Sequence, residues 1–131
     1  MKRDLDLVRK ILFAMEKDET QTKFGEGEPE IDGYEREDIV YHMRIMAQAG
    51  LLHVYKSELP HLNDAHLQWR MPKTYVSSYS ISWNGYEFLD AARDNTRWEK
   101  AKGAMAKAGE FVLPVLMQLL TQYLKAELKL P

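Results

Sequence analysis

The sequence contains no cysteine among its 131 residues. It therefore has no disulfide, no thiolate ligand for zinc or an iron–sulfur cluster, and no thiol nucleophile. It also lacks an excess of charge of one sign, because 18 Lys and Arg stand against 20 Asp and Glu for a formal net charge of −2. Binding to DNA or to an anionic surface would have to come from a local patch of cations.

Long hydrophobic runs are absent as well. The first residues, MKRDLDLVRK, are charged and amphipathic where a signal peptide has an unbroken apolar run. The most apolar segment, near the C-terminus, is interrupted by Gln118, Thr121 and Gln122 and is too short to span a bilayer. We expect a cytoplasmic protein that makes no membrane contact, with the 45% hydrophobic and 29% charged composition of one globular domain.

Two amphipathic helices are predicted in the first half of the chain. Residues 4 to 18 carry apolar side chains at helical spacing, with Asp4 as the N-cap. Residues 35 to 49 place Ile39, Met43 and Met46 on one face and end at Gly50. The acidic, glycine-rich stretch between them predicts a loop, with room for a short strand at 30 to 32.

A hairpin and three helical segments follow. A strand at 51 to 56 leads through a long loop at 57 to 73 into a strand that alternates from Tyr75 to Trp83, so that one face meets the core. Ser82 is placed to cap a helix that begins at Trp83. A further helix begins near Asn95 and ends at Gly109, and a last one runs from about 111 to 128, with Pro114 in its first turn or at a kink.

This order of elements predicts an α+β, mainly helical fold. We expect a winged-helix-like core at residues 1–94, with a two- or three-stranded antiparallel wing sheet, and a helical extension at residues 95–131, within one compact domain. In a winged helix, the helix before the hairpin can enter a DNA groove and the hairpin is the wing.

Three blocks of sequence carry a family resemblance: MKRDLDLVRKIL, GYEREDIVYHMRIMAQAGLL and SWNGYEFLDAARDNTRWEKAKGAMAKAG. Together they resemble a family of bacterial and phage proteins known as a domain of unknown function. The resemblance implies a small winged-helix-like protein that is often encoded by a phage or prophage. It implies no catalytic or binding residues.

DNA binding is the first functional hypothesis. If the apolar face of the helix at 35 to 49 points inward, its outward residues are those that can touch a duplex, and arginine and glutamine can make paired hydrogen bonds to base edges. The wing loop adds two cations. The predicted contact residues are Arg36, Tyr41, His42, Arg44, Gln48, Arg70 and Lys73.

A protein partner is the alternative hypothesis. The same helix opens with Glu35, Glu37 and Asp38, which would repel phosphates. Val40 and Ile45 are expected to be partly exposed, as in a protein interface. The two functions that stay open are a DNA-binding regulator of phage type and an interaction module with which a phage modulates a host protein.

Enzymatic activity is not expected, and neither are a cofactor and a metal. His61, Asp64 and His66 lie close together but in a loop, without the helical spacing of a zinc protease motif. The run from Gly25 to Glu28 would repel the phosphates that a glycine-rich loop usually holds.

The last helix predicts a homodimer. Its apolar stripe is broad for a helix that packs only on its own small domain, and two copies could pair across a twofold axis. The alternative is packing within the chain against the first helix and the wing sheet. The predicted interface residues are Val112, Leu116, Leu119, Leu120 and Tyr123.

Overall fold

The computed structural model describes residues 2–17, 29–58, 75–109 and 112–129. Within these ranges the elements are α1 (Leu5–Lys17), α2 (Arg36–Gln48), β1 (Leu52–Glu58), β2 (Tyr75–Ile81), α3 (Trp83–Ala91), α4 (Asn95–Ala108) and α5 (Leu113–Glu127). The predicted α+β, mainly helical class is confirmed. The contacts divide the chain into two compact units, residues 1–85 and 86–131. This division falls earlier in the chain than the predicted limit at residue 94.

Helix α1 begins at the predicted cap. One carboxylate oxygen of Asp4 accepts the backbone N–H groups of Asp6 at 2.9 Å and Leu7 at 3.2 Å, which have no partner within the helix. The helix buries one continuous apolar stripe, formed by Leu7, Val8, Ile11, Leu12 and Met15. Burial of this stripe against the neighbouring helix α2 stabilises the first unit.

Helix α2 also follows its predicted pattern. Ile39, Met43 and Met46 are buried, and the helix stops at Gly50, which has a left-handed φ of 83°. The Gly50 and Leu51 N–H groups donate to Ala47 and Met46 carbonyls, a pairing that closes the helix end and turns the chain into β1.

The hairpin is a two-stranded antiparallel sheet with Leu52 opposite Ile81 and Val54 opposite Tyr79. Leu52 and Ile81 are buried, so the predicted core-facing side of the sheet is confirmed at its base. The short strand predicted at 30 to 32 is wrong. Tyr34 N–H donates to the Ile31 carbonyl and Gly33 has a φ of 86°, so this segment is a turn.

Ser82 joins the hairpin to α3. Its N–H donates to the Leu51 carbonyl, its hydroxyl donates to the Gly50 carbonyl, and the same oxygen accepts Gly85 N–H at 3.0 Å, which confirms the predicted cap. Gly85 lies directly against this junction. A Cβ atom at Gly85 would be 2.2 Å from the Leu51 carbonyl oxygen. The start of α3 therefore fits against Leu51 only because residue 85 has no side chain.

In the second unit, Asp94 caps α4 by accepting Arg97 N–H at 2.8 Å, and Gly109 ends the helix with a φ of 74°. Pro114 lies in the first turn of α5. Arg97 is buried: its Nε donates to the Ala91 carbonyl and an NH group donates to Glu127, both at 2.7 Å. This guanidinium connects the end of α3 to the end of α5.

Helix α5 packs against α4, and this packing corrects part of the dimer prediction. Leu116 and Leu120 are fully buried within the chain, so they are wrong as interface residues. They lie one turn apart on the side of α5 that faces its own unit. Of the other predicted interface residues, Val112 is exposed and Leu119 and Tyr123 are half-buried. None of the helices in the described ranges has the length and apolarity that crossing a membrane requires.

Candidate functional site

The outward side of α2 is the candidate site. Arg36, Glu37, Val40, Tyr41 and Arg44 line an open depression on it, and we call this face, together with Gln48, the α2 surface. Arg36, Arg44 and Gln48 are exposed, while Val40 and Tyr41 are half-buried. The structure thus places four of the five predicted α2 contact residues on one accessible face.

His42 is the exception, and its predicted outward position is wrong. Its side chain is only 2% exposed. Nε2 accepts the backbone N–H of Asp4 at 2.9 Å, and Nδ1 lies 2.8 Å from the Asp38 carbonyl. Because Nε2 accepts the Asp4 N–H, Nδ1 is the ring nitrogen that donates to the Asp38 carbonyl. The residue belongs to the buried face, not to the α2 surface.

The position of His42 has a simple helical reason. Residues 39, 42, 43 and 46 follow the i, i+3, i+4, i+7 spacing of one buried stripe. The apolar side chains at 39, 43 and 46 were sufficient to predict the inward face. Including residue 42 in that stripe would have identified it as buried, in spite of its polar ring.

Tyr34 completes a polar network that the sequence did not reveal. Its hydroxyl donates to the second Asp4 carboxylate oxygen at 3.0 Å, and Lys10 Nζ lies 5.2 Å from its ring centre. Burial raises the pKa of the Tyr34 hydroxyl, and the hydrogen bond to the Asp4 carboxylate raises it further. The Asp4–Tyr34–His42 network holds the start of α1, the segment before α2 and α2 itself together. No spacing rule relates residues so distant in sequence.

Charge is distributed unevenly along the α2 surface. Glu37 and Asp38 lie in the first turn, preceded by the exposed Glu35, and there is no basic residue in the last turn. These carboxylates stabilise α2, because negative charges interact favourably with the positive N-terminal end of the helix dipole. Arg44 and Gln48 occupy the C-terminal half instead. The N-terminal end of α2 therefore carries three carboxylates and one cation, Arg36, whereas its C-terminal half carries Arg44 and Gln48 and no carboxylate.

The predicted wing contacts Arg70 and Lys73 lie outside the described residues. The same is true of His61, Asp64 and His66. Within the described ranges, no group of three or more His, Asp or Glu side chains is positioned to hold a metal ion. Exposed aromatic residues occur elsewhere in the first unit: Trp83 is 78% exposed and Tyr55 is 58% exposed.

Comparison with known proteins identifies the family. The sequence model of the family described as "Hypothetical protein (DUF2513)" matches residues 2–110. The chain belongs to this family. The match confirms the predicted membership of a domain-of-unknown-function family, and it covers every described part of the α2 surface and the hairpin.

A relative of this DUF2513 chain occurs in Haemophilus influenzae. It is described as "Uncharacterized protein" and is 28% identical over 102 residues, which cover 78% of this chain and 76% of the relative. No solved structure matches the chain.

Proposed function

We propose that the chain is a DNA-binding regulator of phage or prophage type, in which α2 enters the major groove and the hairpin contacts the backbone. The α2 surface is the observation that carries the proposal. It presents Arg36, Arg44 and Gln48 outward on a helix that leads directly into a two-stranded antiparallel hairpin, the order of elements in a winged helix.

The packing of α2 supports this role. Its opposite face is anchored by Ile39, Met43 and Met46, so the outward residues are presented by a helix whose orientation the core determines. The guanidinium of Arg44 can donate two parallel hydrogen bonds to a base or a phosphate. The Tyr41 hydroxyl can donate to a phosphate oxygen. These contacts need no net positive charge on the whole protein.

A gel-shift titration tests the proposal, with random and phage-derived duplexes at low salt, where attraction to the backbone is strongest. Arg44→Ala should weaken binding about tenfold and lower the slope of log affinity against log salt by about one. The matched control is Lys107→Ala, which removes an exposed cation from the end of α4. It should bind like wild type. A wild-type protein that retards no duplex at low salt would end the DNA proposal.

Exposed aromatic residues favour a second candidate, a protein-binding module. Trp and Tyr are the side chains that most often dominate binding energy in protein interfaces, and Trp83 and Tyr55 are largely exposed. Affinity capture from nuclease-treated bacterial lysate should then retain one stoichiometric protein, which Trp83→Ala loses and Leu128→Ala, an exposed apolar control in the second unit, retains. Equal capture by both variants would contradict a role for Trp83.

We further propose that this binding protein acts in the cytoplasm as a homodimer. Because Leu116 and Leu120 are buried within the chain, the dimer proposal depends on the exposed Val112 and the half-buried Leu119 and Tyr123 of α5. Light scattering at the mass of one chain, 15.3 kDa, would contradict it.

A further inference from the structure

We infer that the C-terminal half of α2 is a base-reading element, with Arg44 selecting guanine, Gln48 selecting adenine and Val40 contacting a thymine methyl group. This inference rests on the proposed DNA binding and specifies which duplexes the same surface prefers. The observation behind it is the placement of Val40, Arg44 and Gln48 at successive i+4 positions on the accessible side of one helix.

Charge decides which half of the helix approaches the duplex. The N-terminal turn carries Glu35, Glu37 and Asp38 against one cation, Arg36, and Glu35 and Glu37 are exposed. A phosphate beside this turn would meet carboxylates at short range, and like charges in close contact are unfavourable. From Val40 onward, the α2 surface carries no carboxylate. The half that contains Val40, Arg44 and Gln48 is therefore the half that can lie deep in the groove.

The three side chains match three different groove features. Arginine can donate a pair of hydrogen bonds to O6 and N7 of guanine, and the glutamine amide can bond to N6 and N7 of adenine. An aliphatic side chain such as Val40 can contact the thymine methyl group, the one apolar feature of the major groove. Val40 is half-buried at this surface, so part of its side chain remains available for that contact.

Helix geometry sets the spacing of the contacts. Residues four apart rise about 6 Å along the axis and lie on nearly the same side of the helix. One base-pair step along a strand is about 3.4 Å. Each residue in the row is thus about two base pairs from the next when the helix follows the groove. The preferred site contains a guanine with a thymine toward the Val40 side and an adenine toward the Gln48 side.

Selection from a pool of random duplexes tests this reading. The full chain is incubated with the pool, bound duplexes are sequenced, and affinities for the enriched duplex and its single-base variants are then measured. Replacing the selected guanine should weaken wild-type binding about ten- to a hundredfold. Replacing the thymine by uracil removes only the methyl group and should produce a smaller loss of affinity. In Val40→Ala, thymine and uracil duplexes should bind equally well.

Variants of the reading residues separate base contacts from general attraction to DNA. Arg44→Lys keeps the charge but loses the planar pair of guanidinium donors, so it should keep the affinity for random duplex and weaken the preference for guanine, whereas Arg44→Ala should abolish that preference. Gln48→Ala should lose the preference for adenine and keep the preference for guanine. Lys107→Ala is the control and should select the wild-type site. Far-UV circular dichroism checks that each variant keeps its helical content.

The outcomes distinguish this inference from the proposed function. If wild-type protein binds duplexes but enriches no guanine-containing site, or if Arg44→Ala selects the same site as wild type, the base-reading assignment is wrong while DNA binding stands. If wild-type protein retards no duplex at low salt, both are wrong.

Discussion

Gly85 and Gly103 provide a matched pair of substitutions whose effects on stability should have opposite signs. Both glycines lie within helices and both have ordinary helical backbone conformations, since neither is among the glycines with positive φ. Alanine in place of a helical glycine usually stabilises a protein by about 0.5 to 1 kcal/mol. At Gly103, a Cβ atom would meet nothing within 4 Å, so the full gain is expected.

At Gly85, the added Cβ would lie 2.2 Å from the Leu51 carbonyl oxygen and 2.8 Å from Cγ2 of Ile81. Ordinary carbon–oxygen contacts are about 3.3 Å or longer, so the two backbones must separate by about 1 Å. The obstructing oxygen belongs to the backbone and cannot rotate away. Overpacking of this kind costs about 1 to 3 kcal/mol, and the helix gain is reduced because Gly85 lies in the first turn of α3. We expect a net loss of about 2 kcal/mol.

Urea unfolding followed by far-UV circular dichroism measures both changes. The midpoint should rise for Gly103→Ala and fall for Gly85→Ala, with little change in the slope of either transition. If Gly85→Ala were as stable as wild type, the close approach of α3 to Leu51 described above would be incorrect.

Two further predictions concern polar contacts. Arg97→Met removes the guanidinium that bonds to the Ala91 carbonyl and should lower the free energy of unfolding by about 3 kcal/mol. Glu127→Gln should lower it by less than about 1 kcal/mol, because the Glu127 side chain is 49% exposed. If urea unfolding gave equal losses for the two variants, the effect would belong to the ion pair. Tyr34 has a raised pKa, so the folded state holds the hydroxyl proton more tightly than the unfolded state does. The associated stability is present below the ordinary pKa of 10.0 and is lost as the pH rises through the folded-state pKa, so wild type should lose more stability there than Tyr34→Phe. Parallel pH profiles would contradict this.

Local patterns predicted most of the helices and strands because each depends on neighbours in sequence. Asp4, Ser82 and Gly109 lie at helix ends where a short side chain or a left-handed residue is needed, and the structure uses all three in that way. The missing strand at 30 to 32 shows the limit of this reasoning. Gly33 and the bond between Tyr34 and Ile31 produce a turn that the composition of the segment did not distinguish from a strand.

The candidate site was less predictable because contacts between distant segments decide which polar residues are buried. The sequence predicts His42 at the surface, but the ring is buried because the N–H of Asp4, far earlier in the chain, donates to it. Leu116 and Leu120 looked like interface residues because an apolar stripe does not specify whether α4 or another copy covers it. By contrast, Arg44 and Gln48 were placed correctly, since the position opposite a buried stripe follows from the helix itself.

The imidazole of His42 limits how far α2 can rotate about its own axis. Both ring nitrogens are bonded: Nε2 accepts the N–H of Asp4, the residue before α1, and Nδ1 donates to the Asp38 carbonyl of α2 itself. A turn of α2 by the angle between successive residues would separate Nε2 from the Asp4 N–H and leave a buried ring acceptor unpaired, at a cost of about 1 to 3 kcal/mol. The direction in which Arg44 projects is consequently coupled to the start of α1. A change in the backbone at Asp4 would therefore alter the direction of the Arg44 side chain at a distance.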